Sequence, residues 1–268
     1  MQPNQVWSPV VKSKLEMLDN IYQTYLPVCE QPLEDMPDTL IGEEKATLYM
    51  GYLERCLHRY TFSNPSLRLI GLSEIYGIHC EFESVKTPCL KSGYMSLATG
   101  KMNKNNLASI AYALFNEYVA RYQLMRPKKD KPKKSLTQEA ADNIAYVLKF
   151  YQNNDVESTL AELDKLVEQP KLAEQDRAYY NFILVQLLYV ENKQSVRVDE
   201  LFNSLIASSY LPFDEYWTIF DSYTQILFNE KRYESVIRLL ANEFLKHDKN
   251  NNALSQKHLK SILASLPK

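Results

Sequence analysis

The fold of the second half of this chain follows from the segment Tyr233-Glu-Ser-Val-Ile-Arg-Leu-Leu240. Its aromatic residue, its aliphatic pair and its later leucine share one face if the segment is an α-helix, because positions three and four apart lie side by side. The polar stretch Asn229-Glu-Lys-Arg232 precedes it, and apolar residues at helical spacing come before that stretch: Tyr216, Ile219, Phe220, Tyr223, Ile226 and Leu227. Two helices joined by a short turn form an antiparallel pair.

The same pattern occurs twice more upstream. The first copy has a polar break at Asn153-Asn-Asp155 and ends at Pro170, and the second breaks at Asn192-Lys-Gln-Ser195 and ends at Pro212. Proline and polar clusters of this kind end helices. We therefore predict helix pairs that are interrupted at these places and again near Glu230, with a final helix near Ser255 to Leu266.

Two local details are also predicted. Ser135-Leu-Thr-Gln138 fits a capping box, which makes Ser135 the expected N-cap of the first helix of this region. The first helix of the second copy is expected to bury its residues at helical spacing: Tyr179, Phe182, Ile183, Leu187 and Val190. We expect no β-strand after Asn105.

The three copies resemble tetratricopeptide repeats. The residues of 233–240 stand where the second helix of that family carries its packing residues, and Phe220, Tyr223 and Leu227 stand at the packing positions of its first helix. Equivalent positions Val156, Val198 and Tyr233 are 42 and 35 residues apart, against a family period of about 34.

The first helices depart from the family at the position of its usual small residue, where this chain has Val147, Tyr189 and Thr224. The resemblance covers about half of the chain. It implies an all-α fold of stacked antiparallel helix pairs, a tetratricopeptide-like α-solenoid with degenerate repeats.

The first part of the chain differs from the rest in its glycine and cysteine content. All 6 glycines and all 4 cysteines precede Lys101, and this asymmetry indicates two structural units. We predict a mainly helical N-terminal unit at 1–125, with an irregular cysteine-containing loop or hairpin at His79–Lys101. A linker follows at 126–134, and the helical repeats occupy 135–268.

The linker 126–134 is strongly basic and contains two prolines. Nuclear-localisation and phosphate-binding tracts share this composition with solvated linkers. It has no interleaved aromatic side chains to stack on bases, and the net charge of the whole chain is -2. The sequence therefore does not favour a nucleic-acid partner, and no apolar run is long enough to span a membrane.

The cysteines leave two states open, disulfides or buried free thiols, and Cys29 and Cys56 are one possible pair because they lie at or near helices that could pack together. Cys80 and Cys89 bracket a proline-containing stretch and are the pair expected to lie closest together, either as a disulfide or as free thiols. The N-terminus has no recognisable signal peptide, which predicts a cytoplasmic protein by default. A disulfide would instead predict export to the periplasm or beyond, with a leader removed.

No constellation of residues predicts catalysis, and no metal or cofactor is expected. Cys56, His58, His79 and Cys80 lack the paired spacing of a structural zinc site, and no glycine-rich phosphate loop occurs. A Cys/His nucleophile pair has no supporting local motif. Helical carboxylates such as Glu157 are expected to face solvent.

The sequence thus favours a non-enzymatic scaffold or adaptor that binds a protein or peptide on its helical-repeat surface. Four tyrosines are either core residues or anchors on that surface: Tyr179, Tyr180, Tyr216 and Tyr223. The alternative is an enzyme or ligand-sensing module in the N-terminal half, with the repeats as its substrate or partner arm. A site that brings Cys56, His58 and His79 together would favour that alternative.

Overall fold

A computed structural model describes residues 9–25, 42–59, 65–82, 89–125, 136–191, 196–208, 210–247 and 254–267. Within these ranges the chain forms 12 α-helices and one short 3₁₀ turn, and it contains no β-strand. The predicted all-α class is therefore confirmed for the described part of the chain. The predicted linker 126–134 lies outside the described residues.

The chain divides into two compact units. Unit 1 combines 1–125 with 227–268, and unit 2 comprises 126–226. The sequence-based division had placed all of 135–268 in one region. The two divisions share the boundary near residue 126, but the last two helices of the chain group with the first unit because they pack on its helices.

Unit 1 contains seven described helices that lie wholly within it. They are α1 (Pro9–Tyr25), α2 (Gly42–Arg59), α3 (Pro65–Phe82), α4 (Lys91–Thr99), α5 (Leu107–Met125), α11 (Tyr233–His247) and α12 (Gln256–Ser265). The helix α3 contacts α1, α2 and α4, while α5 contacts α4 and α11. The core lies between these helices, where Leu57, Leu72, Ile75, Leu114 and Leu240 are almost completely buried.

The α4–α5 contact depends on one glycine. A Cβ atom at Gly93 would lie 2.1 Å from the backbone oxygen of Ser109, which is far inside van der Waals contact. Glycine is therefore needed here for close backbone approach rather than for an unusual backbone angle. This approach places the residues of α4 directly against those of α5.

The described part of unit 2 consists of helices that follow one another closely along the chain. They are α6 (Gln138–Gln152), α7 (Val156–Val167), α8 (Glu174–Val190), α9 (Val196–Ala207) and the greater part of α10 (Phe213–Asn229). Each of α6, α7 and α8 packs against the helix that follows it. Asp155 caps α7 by accepting a hydrogen bond from the Ser158 backbone N–H at 3.1 Å. The predicted break at Asn153-Asn-Asp155 is therefore confirmed, since an N-cap marks a helix start.

Helices two apart in unit 2 also contact one another. The Thr137 hydroxyl, at the start of α6, donates to Asp176 Oδ2 of α8 at 2.9 Å. Arg197 Nη1 of α9 donates to Asp164 Oδ2 of α7 at 2.8 Å. Helix α6 therefore contacts α8 as well as α7, and helix α7 contacts α9 as well as α8.

The helix breaks predicted near Pro170, Pro212 and Glu230 fall between observed helices, and α12 begins after its N-cap Ser255 as expected. The predicted break at 192–195 lies outside the described residues. The buried faces of α10 and α11 are confirmed as well, since Ile219, Phe220, Val236, Ile237 and Leu240 are at most 1% exposed. Regular amphipathic spacing was sufficient information for these helices.

Three local predictions were wrong. The stretch His79–Lys101 is no hairpin, since α3 continues to Phe82 and α4 occupies Lys91–Thr99 in the described part. The N-cap of α6 is Thr137 rather than Ser135, because the Thr137 oxygen accepts from the Ala140 N–H at 3.2 Å and Asp176 holds the Thr137 side chain in place.

The predicted face of α8 was the third error, although Leu187 is buried as expected. Val190 is 63% exposed, and Tyr179, Phe182 and Ile183 are only half-buried. The buried positions are Asp176, Ala178, Tyr180, Asn181, Leu184, Val185, Leu187 and Leu188. Apolar residues cover a wide arc of α8, which contacts both α7 and α9. The helical spacing alone therefore did not identify the buried side.

Candidate functional site

A buried charged cluster lies between α2, α3, α4 and α5 of unit 1. Its inner pair is Arg68 of α3 and Glu117 of α5, whose side chains are 1% and 0% exposed. Arg68 Nη1 donates to Glu117 Oε1 at 3.0 Å, and Nη2 donates to Oε2. The pairing is bidentate, which is the geometry that best compensates two charges for the loss of water.

His58 of α2 extends this pair toward the surface. His58 Nδ1 lies 3.1 Å from Glu117 Oε1, and Nε2 lies 3.8 Å from Glu54 Oε1. The Tyr76 hydroxyl donates to the same Glu54 oxygen. The Glu54 side chain is 35% exposed, so the chain of contacts runs from a completely buried carboxylate to solvent.

The charges of the cluster shift the pKa values of its members. Burial alone would lower the pKa of His58, but the contacts with Glu117 and Glu54 outweigh burial and raise it to about 9. Burial would raise the pKa of Glu117, but the Arg68 guanidinium and His58 hold it well below its usual range. His58 is therefore protonated and Glu117 ionised at neutral pH.

Tyr94 of α4 completes the cluster. Its ring stacks on that of Tyr76, with centroids 5.1 Å apart, and meets the His58 ring edge-on at 6.4 Å. Its side chain is 0% exposed, and its hydroxyl has no hydrogen-bond partner among the described residues. Burial raises the pKa of Tyr94, so this hydroxyl stays neutral.

The cluster offers a carboxylate–imidazole pair. Cys56 lies two residues before His58 and is held in a disulfide, so its sulfur provides no thiolate for a Cys/His pair. The side chain of His79 lies outside the described part of the structure. The sequence had singled out His58 alone among the cluster's members, because Arg68 and Glu117 are 49 residues apart and only the tertiary fold brings them together.

Cys80 and Cys89, the cysteines expected to lie closest together, are joined by a disulfide with a Cα–Cα distance of 5.5 Å. This bond connects the C-terminal end of α3 to the residues just before α4. Tyr76 and Tyr94 lie on these two helices, so the disulfide links the backbones that carry one side of the charged cluster.

The four tyrosines considered as surface anchors lie mostly in the core. Tyr180, Tyr216 and Tyr223 are 1%, 8% and 4% exposed, so the core alternative holds for these three rings. The Tyr223 hydroxyl donates to Asp199 Oδ1 at 2.9 Å, and its ring stacks on Phe202. Tyr179 alone is partly exposed.

A second candidate site is a groove in unit 2, which we call the α6–α8 groove. It has a volume of about 590 Å³ and lies between α6, the turn before α8 and the first turns of α8. Its lining residues are Thr137, Glu139, Ala140, Asn143, Gln169, Pro170, Lys171, Leu172, Ala173, Asp176 and Tyr180.

Two polar bridges form the walls of the α6–α8 groove. Asp176 accepts from the Thr137 backbone N–H at 3.1 Å and from its hydroxyl, which fixes the start of α6 against α8. Asn143 Nδ2 donates to the Tyr180 hydroxyl at 3.3 Å. That contact leaves the second Nδ2 hydrogen and the Oδ1 oxygen of Asn143 without a protein partner in the described structure.

No group of histidine, cysteine, aspartate and glutamate side chains in the described residues is arranged to hold a metal ion. Among the described helices, none has the length and apolar character required to cross a membrane. No protein-family model, no curated protein and no solved structure matches this chain.

Proposed function

We propose that this protein is a non-enzymatic adaptor that binds a peptide segment of a protein partner in the α6–α8 groove. The groove itself is the observation that carries this proposal. It is open and concave, with a volume of about 590 Å³. Ligand sites usually enclose roughly 300 to 1000 Å³, so the groove has room for a short peptide segment.

The side chain of Asn143 supports a peptide as the ligand. One of its amide hydrogens and its carbonyl oxygen are not used by the described protein, so it offers one donor and one acceptor. An extended peptide presents the complementary acceptor and donor on its own backbone. The Tyr180 hydroxyl holds the amide in place, which lowers the entropic cost of binding.

The order of the helices in unit 2 supports the same proposal. Contacts between α6 and α8 and between α7 and α9 are what a stack of antiparallel helix pairs requires. We infer that unit 2 is such a stack, similar to tetratricopeptide repeats. Stacks of this kind create extended concave surfaces that bind partners.

A test compares Asn143→Ala with Asn203→Ala, an exposed position on α9 outside the groove. Peptides are selected from a random phage-displayed library on the full-length protein, and the best are titrated by fluorescence anisotropy. We expect Asn143→Ala to weaken binding by about tenfold, since two hydrogen bonds of about 0.5–1.5 kcal/mol each are lost. If no selected peptide responds to Asn143→Ala, the groove is not the binding site.

The contacts Glu117–His58–Glu54 favour a second candidate, a ligand-sensing or enzymatic module in unit 1. This chain of side chains joins a buried carboxylate to a partly exposed one through a protonated imidazole. Its test is a small-molecule fragment screen by NMR on wild type and His58→Gln. Fragments that bind wild type but not the variant would favour this candidate.

A further inference from the structure

The charges of the α6–α8 groove are unbalanced. Glu139, Lys171 and Asp176 are the charged residues in its lining, so the lining contains two carboxylates and one ammonium group. Asp176 is 3% exposed, and it accepts hydrogen bonds from the neutral N–H and hydroxyl of Thr137. Within the described part of the chain, neither carboxylate forms an ion pair.

The field of both carboxylates reaches the floor of the groove. Burial raises the pKa of the Tyr180 hydroxyl, and the negative charges of Asp176 and Glu139 add to that rise. The hydroxyl itself contacts Asn143. Both carboxylates therefore lie close enough to the Tyr180 hydroxyl to act on a group bound beside Asn143.

Glu139 is the carboxylate that a ligand can reach. It is exposed, and it lies one helical turn before Asn143 on α6. Residues four apart on a helix have Cβ atoms about 5–6 Å apart. A long side chain on a peptide residue bound at Asn143 can therefore extend along α6 to the Glu139 carboxylate.

We propose that the α6–α8 groove selects a peptide segment that carries a lysine or arginine side chain, which pairs with Glu139 while Asn143 holds the adjacent peptide backbone. This inference rests on the proposed adaptor function and names the chemical class of its partner. Lys171 comes from the turn before α8, so it does not share the helix face of Glu139 and Asn143.

The test uses the full-length protein and peptides selected from the random library. We expect the selected peptides to share a lysine or arginine at one position. Glu139→Gln should weaken their binding by up to about fivefold, the range for a solvent-accessible ion pair. Glu200→Gln, an exposed carboxylate on α9 outside the groove, is the matched control and should leave binding unchanged.

A double-mutant cycle separates the ion pair from other effects. The selected peptide and its variant with alanine in place of the basic residue are titrated against wild type and Glu139→Gln. We expect the effect of Glu139→Gln to disappear for the alanine peptide, and the affinity of the basic peptide to fall as sodium chloride is raised.

The different failures are distinguishable. Peptides that depend on Asn143 but carry no shared basic residue, or ignore Glu139→Gln, would overturn the charge selection and leave the adaptor function standing. Peptides that respond to neither Asn143→Ala nor Glu139→Gln would overturn both proposals.

Discussion

His58 is expected to make the stability of this protein depend on pH above neutrality. Its pKa is about 9 in the folded protein, against 6.5 for an ordinary histidine side chain. A difference of about 2.5 pKa units corresponds to roughly 3 kcal/mol of stabilisation, at about 1.36 kcal/mol per unit. That is a large part of the roughly 5–15 kcal/mol that holds a typical domain together.

The direction of this pH dependence follows from which state binds the His58 proton more tightly. The folded state binds it more tightly, so the contribution of His58 to stability is complete below pH 6.5. It decreases as the pH rises from 6.5 to about 9 and is lost above that value. Glu117 acts in the opposite sense: its pKa is lowered on folding, so its contribution exists above its unfolded pKa of 4.5 and is lost in acid. The cluster should therefore stabilise unit 1 most between about pH 5 and 6.5.

The assay is urea unfolding followed by circular dichroism at pH 6 and pH 9.5. Between pH 6 and pH 9.5, the free energy of unfolding should fall by about 3 kcal/mol more for wild type than for His58→Gln. The variant has no group that titrates at this position. His258→Gln, on α12, is the matched control, since no carboxylate lies within ion-pair distance of His258 in the described residues. Equal losses for wild type and His58→Gln would refute the role of His58 in the cluster.

Three further perturbations test the packing. Gly93→Ala would place a methyl group 2.1 Å from a backbone oxygen of α5, whereas Gly51→Ala would meet only a flexible side-chain atom at 3.3 Å. In urea unfolding, the first change should destabilise unit 1 by about 2 kcal/mol or more, and the second should stabilise α2 by about 0.5–1 kcal/mol. The side chain of Leu240 is 0% exposed. Leu240→Ala should therefore cost about 2–5 kcal/mol, and a change below about 1 kcal/mol would contradict its place in the core. Replacing Cys80 and Cys89 together by serine opens a loop whose ends are 9 residues apart. This double change should lower the unfolding free energy by about 2–3 kcal/mol in the entropic view of cross-links. If the unreduced, denatured wild type is alkylated at either cysteine, the disulfide does not form in solution.

The buried charged cluster was the main feature that could not be predicted from the sequence. Arg68 and Glu117 appear there as ordinary polar residues within helical segments, and nothing local distinguishes them from solvent-facing charges. They become a pair because α3 and α5 both pack on α4, which brings together positions 49 residues apart. A single sequence shows no such long-range pairing.

Local sequence was sufficient to specify the helices of residues 135–268 and most of the breaks between them, because amphipathic spacing and proline breaks act over a few neighbouring residues. It also indicated that Cys80 and Cys89 lie near each other, since a short segment limits their separation. It did not identify Thr137 as the N-cap of α6, because the Asp176 that holds Thr137 comes from a distant helix. The packed structure was needed to show that α11 and α12 belong with unit 1, and that α8 buries Tyr180 rather than Tyr179. Those outcomes depend on which helices surround a given helix, and that choice is made by contacts between distant parts of the chain.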